Sequence, residues 1–191
     1  MEYRFKHFNA GLTFIELIVV MSIFATLSGV VLFKFTNFTT NVSLQNLAHQ
    51  IALQIRTAQS DAVSGKKLNL VSSSIPSYGV YFNKITSSKF IYFVDRNNDG
   101  TYDGSIPCNT AGTECLDEIN INTGDKISDL CVTTSSSTQC LSSLVITFTR
   151  PFHDAYINQD KSILNAEIKI ESPKGNIKSI RISSIGQISI E

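Results

Sequence analysis

Two clusters of side chains in this 191-residue chain, and one isolated acid, could do chemistry. Asp95, Asn97, Asp99, Gly100, Thr101 and Asp103 have the spacing of a calcium loop. Side chains at alternate positions, a glycine for the sharp turn, a carbonyl at Thr101 and an acid at Asp103 would set hard oxygens around Ca²⁺. Where such a loop ends in a bidentate glutamate this chain has Ile106, and the preceding residues read as a strand rather than a helix. Asp117 or Glu118 would then have to complete the shell. A solvated Asn-Asp-Gly turn joining two strands explains the same letters.

The second cluster is Cys108, Cys115, Cys131 and Cys140. Four cysteines allow three disulfide connectivities; proximity in sequence favours Cys108 with Cys115 and Cys131 with Cys140. Zinc would need pairs spaced by about two to four residues with histidine support, and here the gaps are wider and no histidine lies between them. Histidine is too sparse for a catalytic reading. His49 falls on the polar side of a helix, and His153 beside Asp154 in sequence does not make a triad, so the chain is read as a non-enzyme.

The isolated acid is Glu16, the only charge in the apolar run from Gly11 to Phe33. About 20 apolar residues span a hydrocarbon core as a helix, and Leu12 to Phe33 reaches that length. A carboxylate there costs roughly 2.5 kcal/mol or more, so a partner is expected. An amine would appear nearby if the chain were cut after Gly11, because Leu12 would then carry an ammonium four residues before Glu16. The leader fits a cut. Met1 to Gly11 is short and polar, with Arg4, Lys6 and His7, and lacks both an apolar segment of its own and a secretory A-x-A site.

The elements that must position these groups follow from periodicity. Leu44, Leu47, Ala48, Ile51, Ile55, Ala58 and Ala62 recur at steps of three or four, an amphipathic stripe that continues the apolar helix as far as Ser64. Gly65, followed by Lys66 and Lys67, is a plausible stop. Polar residues from Thr36 to Asn41 lie between the halves, where weak helix formers would allow a bend or local melting. The organisation expected is a leader at 1–11, a transmembrane helix at 12–35, its amphipathic half at 36–65, and one head at 66–191. Strands are expected at Lys67–Ser72, Tyr78–Asn83, Lys89–Asp95, Leu144–Arg150, Leu164–Glu171, Asn176–Ser183 and Gln187–Glu191. Between them, periodicity fades at about 104–141, which reads as a long irregular insertion carrying the four cysteines. Sixteen basic and sixteen acidic residues balance, so overall charge names no partner.

A basic leader ending in Gly11, then Leu12, Thr13, Phe14, Ile15, Glu16 and Leu17, then an apolar helix, resembles the class III signal of type IV pilins and pseudopilins. The resemblance implies an α+β fold in which one long N-terminal helix packs on an antiparallel β-sheet head. It also implies cleavage after Gly11 by a prepilin peptidase, N-methylation of Leu12, and an assembly role for Glu16. The head, with FVDRNNDGTYDG, a late VITFTRP and a closing IRISSIGQISIE, looks like the GspH/FimT type of minor pilin or pseudopilin. Its partners would be other pilin subunits, the peptidase, an inner-membrane assembly platform and the lipid bilayer. The chain would be held in the cytoplasmic membrane by a single span with its head outside, where oxidised cysteines are the default.

A major pilin is an alternative, disfavoured by the length of the chain, the insertion, and Phe33 where many major pilins have a proline. Another alternative is a tip module for DNA uptake or surface adhesion. Some FimT-like pilins bind DNA through arginines near the C-terminus, but Gly186, Gln187, Ile188 and Ser189 carry none, leaving only Lys174, Lys178 and Arg181 as a small basic group.

Overall fold

The computed structural model describes residues 11–66, 76–104, 108 and 112–191. One helix, α1 (Phe14–Ser64), is followed by ten strands: β1 (Ser77–Asn83), β2 (Lys89–Asp95), β3 (Cys115–Asn120), β4 (Lys126–Thr134), β5 (Thr138–Leu141), β6 (Ser143–Phe148), β7 (Ala155–Ile157), β8 (Ile163–Glu171), β9 (Ile177–Ser183) and β10 (Ile188–Ile190). The arrangement is α+β and pilin-like, with antiparallel pairing throughout. The chain falls into two units, Met1–Thr39 and Thr40–Glu191.

In the second unit the stripe of α1 is a core face. Leu44, Leu47, Ala48, Ile51, Ile55, Ala58 and Ala62 are buried. The backbone from Thr36 to Asn41 is helical. The helix ends at Gly65, whose positive φ of 64° gives the left-handed stop expected of it. The expected strand at Lys67–Ser72 lies outside the described residues.

Two five-stranded sheets replace the single sheet expected. The first runs β3-β2-β1-β6-β7 and the second β10-β9-β8-β4-β5, and both turn apolar side chains into the same core as the helix stripe. In the first sheet Tyr78, Val80 and Phe82 point inward with Tyr92, Val94, Ile146 and Phe148; in the second, Ile168, Ile170, Ile180 and Ile182 do so. The expected irregular insertion at 104–141 is a misreading for about half of its length, because it contains β3, β4 and β5. β4 is an inner strand, paired on one side with β8 and on the other with β5. Register shifts between Ile127 and Asp129 and between Thr133 and Thr134 interrupt its alternation, which hides the strand from a period-two reading.

Candidate functional site

At the N-terminus, Gly11, Leu12 and Thr13 precede the helix. Thr13 caps it: its Oγ1 accepts the Glu16 N–H at 3.3 Å and its carbonyl accepts the Leu17 N–H at 3.1 Å. Glu16 is thereby set in the first turn, where the helix dipole favours an anion. No partner for its carboxylate is found among the described residues. A Cβ on Gly11 would meet nothing within 4 Å, so the fold itself makes no demand for glycine there.

The window Phe14–Val31 has a mean hydropathy of 2.3, and none of it is buried within the molecule. Its hydroxyls are satisfied locally: Ser22 Oγ donates to the Val19 carbonyl and Thr26 Oγ1 to that of Ile23, each at 2.8 Å. An apolar surface of this length with one acid near its start is long enough to cross a membrane and is not covered by the described residues.

The acidic loop follows β2 and is organised around its own backbone. Buried Asp95 accepts the Asp99 N–H at 3.2 Å and the Gly100 N–H at 2.8 Å. Asp99 accepts both the N–H and the hydroxyl of Thr101 at 2.7 Å, and the Asn97 amide donates to Asp99 and Asp103 at 2.8 and 2.9 Å. Burial, with the Glu114 and Asp99 charges, raises the pKa of Asp95; the Thr101 bonds lower that of Asp99. Glu114, not singled out from sequence, ties the loop together by accepting the Arg96 N–H at 3.1 Å and the Asp103 N–H at 2.9 Å. Glu118, offered from sequence as a closing ligand, instead pairs with Lys89 at 3.0 Å, and Asp117 lies opposite Tyr92 on β3. Among the described residues no three His, Cys, Asp or Glu side chains gather as they would around a metal ion.

Two disulfides join Cys108 to Cys115 and Cys131 to Cys140. The first pins the far end of the acidic loop to the start of β3, beside Ile91 and Phe93; the second links directly opposed residues of β4 and β5.

His153 lies in an exposed turn, where its carbonyl accepts the Gln59 side-chain amide at 2.9 Å. A Cβ on Gly186 would collide with that same carbonyl, so glycine is required there. Two of the three cations considered for DNA lie on opposite faces of β9. Arg181 pairs with Glu191 at 3.1 Å, and Lys178, two residues before buried Ile180, falls on the opposite face of β9. Near the end of α1, Asp61 accepts the Tyr92 hydroxyl and the Lys66 ammonium, each at 2.6 Å. Burial and the Asp61 carboxylate push the Tyr92 phenol far above its ordinary range.

Residues 6–32 match the family described as the prokaryotic N-terminal methylation motif. The chain therefore carries the class III signal of type IV pilins and pseudopilins, and its exposed apolar helix fits that signal. The motif supports a type IV pilin-like or pseudopilin subunit, a structural protein that is processed by prepilin peptidase, anchored in a membrane and assembled with other pilin subunits. No curated protein and no solved structure matches the chain.

Proposed function

We propose that the chain is a minor structural subunit of a type IV pilus or a type II secretion pseudopilus, without enzymatic activity. A prepilin peptidase cuts after Gly11 and methylates the Leu12 amine. The span 12–35 holds the precursor in the cytoplasmic membrane with its head outside, and an inner-membrane platform then draws it into the filament. There Glu16 of one subunit pairs with the Leu12 amine of another, which sets the register of each addition, since a buried charge left alone is costly.

The observation that carries this reading is the wholly exposed apolar window at Phe14–Val31, entered through a glycine the fold does not need and marked by one unpartnered acid. A minor rather than a major role is supported by the head, enlarged by β3, β4 and β5 with their two disulfides. DNA capture finds no support in the separated positions of Lys178 and Arg181. Mass spectrometry of protein from its native host tests the processing step: the mature chain should begin at N-methylated Leu12, and a mature chain beginning at Met1 would refute it.

A further inference from the structure

The face of the first sheet turned away from the helix carries a polar row at the end where three connections converge. Register places it there. Ser77 is opposite Asp95, Tyr78 is opposite Phe148 so that Ser77 adjoins Thr149, and Thr147 is opposite Tyr156. Each of these polar residues alternates with a core residue on its own strand, so all lie on the face away from the helix, where Ser77, Asp95 and Thr147 form a buried floor and Tyr156 is partly exposed. The acidic loop after β2 and the turn after β7 border an open cleft of about 340 Å³ over the row, at the lower end of small-ligand sites.

Its walls are chemically specific. Asn98 and Gln159, both at positive φ, complete the rim, and Gly100 permits the closure because a Cβ there would lie 2.8 Å from the Gln159 side chain. The Asn98 carbonyl is taken by the Ser77 N–H and hydroxyl at 3.3 and 3.1 Å, leaving its NH₂ as a donor. Ser77 and Thr149 share a hydroxyl bond of 2.8 Å. Asp95, buried beneath, has lone pairs beyond the two amides it accepts. Tyr156 offers a ring and a phenol. Two carboxylates in the lining, Asp95 and Asp99, disfavour an anion; the amide NH₂ donors and the prior engagement of both carboxylates by N–H groups disfavour a cation. What remains is a neutral ligand that both donates and accepts many hydrogen bonds and presents a C–H face to one aromatic ring.

We propose that this cavity binds a neutral glycan through a hexose-sized unit stacked on Tyr156. The site lies outside the filament machinery and does not depend on that reading. The test uses the full processed chain in lipid nanodiscs, which avoid sugar-headed detergents, on an array of neutral glycans built from glucose, galactose, mannose and their N-acetylamino forms. At least one glycan should bind. Tyr156→Ala should weaken it at least tenfold, equivalent to about 1.4 kcal/mol. Tyr156→Phe should hold affinity within about threefold, and Thr149→Val, which keeps the shape of an exposed lining side chain, should lose at least about threefold. Should Tyr156→Ala fail to fold, the Thr149→Val loss carries the test. No retained glycan at about 10 mM, where even very weak affinities register, overturns the proposal. So does undiminished binding by well-folded Tyr156→Ala and Thr149→Val, a requirement for added Ca²⁺, or retention of a polar peptide panel in place of glycans.

Discussion

The two halves of α1 are the same secondary structure put to opposite uses. From Leu44 to Ala62 the helix buries one stripe against two sheets, whereas from Phe14 to Val31 it buries nothing. Amphipathic spacing in the first case and uniform apolarity in the second are what separate them. A helix with a single stripe can be completed by its own chain. One that is apolar on all sides must be completed by lipid or by neighbouring helices. The difference explains why the head can be described as a folded unit by itself while the first unit makes sense only with partners.

The sharpest way to break that comparison is to delete the same kind of group from each half. Ile55→Ala should cost about 2 to 5 kcal/mol in thermal or denaturant unfolding of the head, because the cavity is left between helix and sheets. Val19→Ala should change head stability by less than about 0.5 kcal/mol, since its side chain is exposed. Equal effects would mean that the halves are not energetically separate.

A second contrast lies within the head, between strands held by apolar cores and strands held by cross-links. β5 is mostly exposed, so the Cys131–Cys140 bond substitutes for burial at that edge. The double variant Cys131→Ser, Cys140→Ser should lose about 2.5 kcal/mol by the chain-entropy account of a short loop, read as a lowered denaturation midpoint. No change would show that β5 is held by its hydrogen bonds alone.

A smaller effect distinguishes buried from exposed carboxylates in the loop after β2. Asp95 has a raised pKa, so the folded state binds its proton more tightly than the unfolded state. The stability this adds in acid is lost as pH rises from the ordinary carboxylate range through the folded-state value. Asp99 has the opposite sign, its contribution being present above the ordinary range and lost as pH falls through its lowered value. Melting curves from pH 3 to 7 should show Asp95→Asn removing the loss on the alkaline side while leaving the acid limb. An unchanged profile would remove Asp95 as its source.

Much of this was legible before any coordinates. Ile168 with Ile170, Ile180 with Ile182, and Lys89–Asp95 announce strands because one face alternates cleanly or the whole run is apolar and aromatic. β3 to β5 were illegible because bulges in β4 break its period, because β5 is too exposed to need apolar residues, and because Ser and Thr suit both edge strands and loops. β7, at three residues, is too short to show a period. In the acidic loop the alternation of Asp and Asn is shared by calcium loops and by turns that bond their own amides. In the structure Asp95 and Asp99 accept amides of their own loop, which spacing alone does not specify. Glu114 could not be found by spacing, since the N–H groups it accepts are brought to it by a loop closed at Cys108–Cys115. Thr13 could have been found, as Thr followed three residues later by Glu before an apolar run is a capping pattern. The cavity over Ser77 and Thr147 depends on strand register, which no local pattern specifies.

The central claim is that Glu16 serves assembly rather than the fold or the membrane. Glu16→Ala protein should still be cut after Gly11, should insert as well or better, and should keep a protease-resistant head. The measurement is the ratio of mutant to wild-type subunit in sheared filaments, normalised to the membrane pool. Leaving a buried amine without its carboxylate costs about 3 to 5 kcal/mol, so depletion of at least a hundredfold is expected if incorporation is near equilibrium. Equal incorporation of the two would contradict charge pairing as the mechanism of assembly.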